Sequence, residues 1–103
     1  MRVRYTDPAS LELEQSISYF IEHAPASAAA FADSIDAGVA RLLDNPYSAQ
    51  ETDMPGVRRA YIRRFRYNIF YTVEGAEVVI LHILHIRHAA RRWPWEGALE
   101  SDQ

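Results

Sequence analysis

Arginine is the residue type in this chain most capable of specific chemistry, and its placement is uneven. Residues 58–73, RRAYIRRFRYNIFYTV, carry Arg58, Arg59, Arg63, Arg64 and Arg66 among aromatic and β-branched residues. A guanidinium is permanently charged and forks onto phosphate or carboxylate, and aromatic rings beside it can stack on bases. Two substrates fit that composition: nucleic acid, or an acidic peptide laid along a sheet. The chain contains no lysine, so every fixed positive side chain is a guanidinium, although a GC-rich coding bias would leave the same trace.

Histidine is the second candidate. His82, His85 and His88 recur every three residues, a spacing that resembles a metal cluster until it is placed on a strand. At about 3.3 Å per residue, His82 and His88 stand roughly 20 Å apart, with His85 on the opposite face. A turn to helix after His85 brings only two ligands together, too few for a metal centre. His85 or His88 beside Arg87 or Arg91 has the makings of a general base for RNA cleavage; the competing reading is a packed or partner-facing imidazole. No serine has a nucleophile-elbow context, and the four scattered glycines form no phosphate loop. No cofactor and no metal are expected.

The totals frame these residues. The chain has 103 residues, 49% of them hydrophobic, which supports one folded domain with a modest core. Cysteine is absent, so disulfides and cysteine–zinc sites are excluded. No apolar run approaches the roughly 18–20 residues that span a bilayer, and MRVRYTDPAS lacks a signal-peptide core. The expectation is a cytoplasmic protein with no membrane partner. Residues 1–57 hold three arginines against nine acids, a charge of −6, and residues 58–92 hold eight against two, a charge of +6. The tail from 93 adds −3. Such segregation marks a surface that meets an anion.

The elements that must position these groups are legible in order. RVRYTD alternates as a short edge strand. Asp7–Pro8 reads as an N-cap and first helical position, followed by a helix whose apolar face is Leu13, Ile17, Phe20 and Ile21, with Glu12, Glu14 and Glu22 off it. Pro25 breaks the run, and Ser27 caps a second helix with Phe31, Ile35, Val39 and Leu42 as its stripe. Residues 46–56 read as loop. A strand over 57–62 then turns near Arg63–Phe65 without a glycine. Tyr67, Ile69, Tyr71 and Val73 face one way on the next strand. After a turn at 74–76, EVVILHILHI is apolar on both faces, with Val78, Ile80, Leu84 and Ile86 on one of them. This order, β-α-α-β-β-β, is α+β: an N-terminal strand, an αα-hairpin and a three-stranded antiparallel meander. One domain over 1–95 and an acidic, mobile tail over 96–103 are expected. Two helices cover one sheet face; the other needs either a partner or a lid formed by Trp93 and Trp95.

RRAYIRRFRYNIFYTVEGAEVVILHILHIRHAARRW, within this architecture, resembles the core of the RelE/ParE toxin superfamily. The resemblance implies the toxin of a type II toxin–antitoxin pair, also known as a plasmid stabilisation protein. Its antitoxin would be ParD-like or similar, docked on Arg58, Arg64, Val78, Ile80, Leu84, Ile86 and Trp93, and would carry the complex to operator DNA. RelE-like members are ribosome-dependent mRNA endonucleases, whereas ParE-like members inhibit DNA gyrase. Arg59, Arg63 and Arg66, with Arg87 and Arg91, match the basic positions that hold phosphate or target. No tyrosine follows Tyr71, so His85 and His88 alone could serve an endonuclease. The ending from His88 to Arg91 is closer to ParE, and the resemblance therefore favours a non-catalytic inhibitor of gyrase. The alternatives are an endonuclease acting on ribosome and mRNA, and a non-toxic member of a repressor complex.

Overall fold

A computed structural model describes residues 1–89. Arg91, Trp93, Trp95 and the expected tail over 96–103 lie outside the described residues, as does the side chain of His88. Strand β1 (Arg2–Tyr5) leads into helix α1 (Asp7–His23) and helix α2 (Pro25–Asp44). Four strands follow: β2 (Gln50–Glu51), β3 (Arg58–Ile62), β4 (Tyr67–Glu74) and β5 (Glu77–His85), then a single helical turn, α3 (Ile86–Ala89). The architecture is α+β, as the residue pattern predicts. The sheet is mixed, in the order β1-β5-β4-β3-β2, with β1 parallel to β5 and every other pair antiparallel. No helix among the described residues is long and apolar enough to cross a membrane.

Helix α1 begins one residue earlier than the sequence reading places it. Thr6, not Asp7, is the N-cap: its hydroxyl oxygen accepts from the Ala9 N–H at 3.2 Å and its proton goes to the Leu81 carbonyl at 3.0 Å. Helix α2 starts at Pro25 rather than after Ser27, because proline at the first position has no N–H to leave unpaired. Ala24 alone joins the two helices, its N–H donating to the Phe20 carbonyl at 2.8 Å. The α2 stripe is as the spacing predicts, with Phe31, Ile35, Val39 and Leu42 buried. Gly38 lies on that stripe because a Cβ there would collide with the Ile62 Cδ1 methyl.

Tyr67, Ile69 and Tyr71 are buried beneath the helices, and Val73 packs at the edge of the same core. On β5 the period-two alternation fails halfway. Tyr71 pairs with Ile80 but Phe70 pairs with His82, so Leu81 is an extra residue and the strand's facing shifts there. Val78 and Ile80 therefore belong to the helix-side core together with Ile83, all at most 1% exposed. They do not form a second apolar face with Leu84 and Ile86, and in this fold neither offers a surface to a docking partner. The opposite face carries Arg59, Tyr61, Asn68, Phe70, Thr72, Val79 and Leu84 by register. The short strand β2, read from the sequence as loop, pairs Gln50 and Glu51 with Arg59 and Arg58.

The β3–β4 turn, Arg63 to Arg66, has no glycine. Arg66 itself adopts the left-handed conformation, with φ at 61°, which non-glycine residues occupy at a cost. Its carbonyl accepts the Ile86 N–H at 2.9 Å, locking the turn to the end of β5.

Candidate functional site

The five arginines of residues 58–66 do not make one surface. Arg58 faces inward along the edge of the sheet. Its Nη1 donates to the carbonyls of Ala49 (2.8 Å) and Tyr47 (3.1 Å), its Nη2 meets Glu51 at 3.0 Å, and its guanidinium lies 5.3 Å from the Tyr47 ring centre. These contacts commit Arg58 to fastening the 45–51 loop onto β3, a structural task beside the antitoxin docking that the sequence reading expected of it. Tyr71 helps from below, donating its hydroxyl to the Pro46 carbonyl at 2.6 Å. Burial pushes the Tyr71 phenol above its ordinary range, an effect that Arg58 and a backbone hydrogen bond at Ala49 oppose in part.

Arg59 lies on the outer sheet face, donating to Gln50 Oε1 at 3.0 Å. It borders a groove of about 360 Å³ with Arg41, Tyr61 and the buried Gly38. Arg63 is exposed at the turn.

Arg64, Arg66 and Arg87 converge instead on the helix side. They border a cleft of about 560 Å³ between the C-terminal half of α1 and the β3–β4 turn, walled by Tyr19, Phe20, Phe65, Tyr67 and His85. Its aromatic walls are joined through the core by a chain of rings: Phe20 on the buried Phe31 at 4.7 Å, Phe31 against Tyr67 at 4.8 Å, and Tyr67 against His85 at 5.4 Å. The Arg64 guanidinium lies 5.3 Å from the Phe65 ring centre. Among the described residues, none of these three arginines forms an ion pair with a carboxylate.

His85 reaches the cleft because the extra residue on β5 turns it to the helix side. Its Nδ1 accepts the Arg87 N–H at 3.1 Å. A backbone amide only donates, so the neutral ring carries its proton on Nε2. In that tautomer Nδ1 has no lone pair to spare.

A smaller hollow of about 220 Å³ adjoins the cleft, sharing Tyr19, Tyr67 and His85 and adding Glu12, Gln15 and Ser16. Glu12, read from the sequence as part of a solvated face, is a working residue here. Its Oε1 accepts the Ile83 N–H at 2.9 Å and its Oε2 lies 2.9 Å from His82 Nδ1. No cluster of three metal-ligating side chains occurs among the described residues. Sequence reasoning also missed Tyr19, a residue 58% exposed on a helix position where a polar residue is the default.

Solved structures share this fold. The chain aligns with a chromosomal ParDE toxin–antitoxin system from P. aeruginosa at 24% identity and a TM-score of 0.72, over 82% of this chain and 95% of that one. A YoeB/ParE toxin from Agrobacterium tumefaciens aligns at 12% identity and 0.57, over 82% and 98%. The YoeB dimer from Staphylococcus aureus gives 12% and 0.55, over 82% and 95%. At these identities the likeness is one of fold. No curated protein matches the chain. The family model for the ParE toxin of the type II toxin–antitoxin system parDE matches residues 3–93, nearly the whole sequence, and the chain belongs to that family.

Proposed function

We propose that this protein arrests growth by binding DNA gyrase, without cutting nucleic acid, and that a cognate ParD-like antitoxin neutralises it. The observation that favours binding over cleavage is the state of His85. In-line attack by a ribose 2′-hydroxyl needs a group that takes its proton. Arginine stays protonated, Tyr67 already donates to Ser16 at 3.2 Å, and the Nδ1 of His85 is occupied by a backbone amide. The described side chains of the cleft thus hold charge and rings but no poised acceptor.

Expression of the chain alone should halt division with signs of DNA damage. The purified protein should inhibit gyrase supercoiling and trap cleaved DNA, and messenger RNA in arrested cells should stay intact. A second reading, an mRNA endonuclease, draws on the meeting of His85 with three arginines in one cleft. Codon-positioned RNA cuts that vanish in His85→Ala would establish it and overturn the gyrase proposal.

A further inference from the structure

We infer that the cleft bordered by Arg64, Arg66 and Arg87 is a pocket for a nucleoside phosphate. The inference goes beyond the choice of cellular target and needs neither gyrase nor an antitoxin.

Three guanidiniums line a single cleft, none of them paired with a carboxylate among the described residues, and an anion of two or more charges offsets the positive potential they create there. Guanidinium forks match phosphate oxygens in pairs. Phosphate alone leaves most of the space unfilled: about 560 Å³ falls within the range of roughly 300–1,000 Å³ usual for small-molecule sites. The remaining wall is aromatic. Tyr19 stands exposed on the rim, steadied edge-on by Phe20 at 5.8 Å and by the His23 ring at 4.6 Å, so a flat heterocycle finds a prepared face.

The adjoining hollow supplies the polar end that such a heterocycle requires. Ser16 accepts the Tyr67 hydroxyl at 3.2 Å and keeps its own proton to donate, while Gln15 brings an amide with both a donor and an acceptor. Phosphate at the arginines, a ring along Tyr19 and a base edge at Gln15 and Ser16 use every part of the site. An acidic peptide would use only the first. Arg66 is the residue that fixes the phosphate end. Its backbone is left-handed, at a conformational cost, and is pinned through the Ile86 N–H next to Arg87 in sequence, and both side chains border the cleft; a strained position of this kind is found where a site is preorganised.

Calorimetric titration of the full chain with ADP, ATP and inorganic triphosphate tests this. ATP and ADP should bind with dissociation constants of about 10–500 μM, and triphosphate at least about fivefold more weakly for want of the stacked ring. Arg87→Gln and Arg66→Gly should each weaken ATP about tenfold, and Tyr19→Ala about fivefold. Glycine suits the backbone at position 66, so that variant stays folded. Arg41→Gln, in the separate groove beside Gly38, should bind as the parent does. The inference is overturned by absence of binding at millimolar ATP, or by equal affinity for ATP and triphosphate. It also falls if Arg66→Gly and Arg87→Gln bind unchanged, or if an oligoglutamate peptide binds where ADP does not.

Discussion

Glu12 takes the place of a missing strand at Ile83. Strand β1 accompanies β5 only as far as Ile80, and beyond that point the edge of β5 would present bare backbone. The Thr6 hydroxyl covers the Leu81 carbonyl, and Glu12 Oε1 covers the Ile83 N–H at 2.9 Å. Helix α1 thereby completes a sheet edge with its side chains, and the same edge forms one wall of the cleft.

Glu12→Ala leaves that N–H without its partner and should destabilise the fold by about 1–3 kcal/mol. Glu12→Gln keeps a carbonyl oxygen in place and should recover at least about half of the loss. Urea unfolding of the two variants separates the hydrogen bond from the charge. Equal losses would show that the acceptor at Ile83 contributes nothing.

Arg66→Gly removes a left-handed arginine and should raise stability by about 1 kcal/mol, because glycine adopts φ at 61° without the Cβ clash. Arg66→Ala keeps the Cβ and should give no such gain. Thermal melts of the two variants, compared at equal pH, decide it.

Gly38→Ala forces the Ile62 methyl aside in a close-packed core and should cost about 1–2 kcal/mol, even after the better helix propensity of alanine. Ile62→Val removes that same methyl. The double variant should therefore lie closer to the parent than the sum of the two single losses. A strictly additive pair would mean that α2 moves as a body and the contact is not local.

Tyr71 makes stability sensitive to alkali. Burial raises its folded pKa above the unfolded value of 10.0, so the unfolded chain releases its phenolic proton first. The contribution is complete below about pH 10 and is lost as pH climbs from there through the folded pKa. Tyr5, raised by burial and by Asp36, adds a parallel loss. Tyr71→Phe should cost about 1 kcal/mol at neutral pH, through the hydrogen bond to Pro46, and should shrink the decline between neutral and alkaline pH. An unchanged alkaline slope in that variant would assign the loss to Tyr5 alone.

Much of this molecule was legible before any coordinates. The stripe of Phe31, Ile35, Val39 and Leu42 has helical spacing, and Tyr67, Ile69 and Tyr71 have strand spacing; both are buried as their period requires. The reading failed where one residue changes the period. Leu81 carries no mark in the sequence, yet it sends Ile83 and His85 to the helix side and makes Val78 and Ile80 core rather than docking surface. Register is a property of two strands, and no single strand displays it. Arg58 and Arg59 differ for the same reason. They are identical neighbours in the chain, but one faces the loop carbonyls of Tyr47 and Ala49 and the other the outer sheet. Glu12 was hidden by distance, since its partner is 71 positions away.

The parallel pairing of β1 with β5 also governs when this protein can exist. Arg2 meets Glu77 and Tyr5 meets Ile80, so the first strand synthesised finds its neighbour only after almost every other element has been made. Until β5 has left the ribosome, α1 lacks the strand it packs on and Glu12 has no amide to cap. Contacts this far apart in sequence form late and slowly. The native sheet, and the cleft built along it, can therefore close only once β5 has been translated.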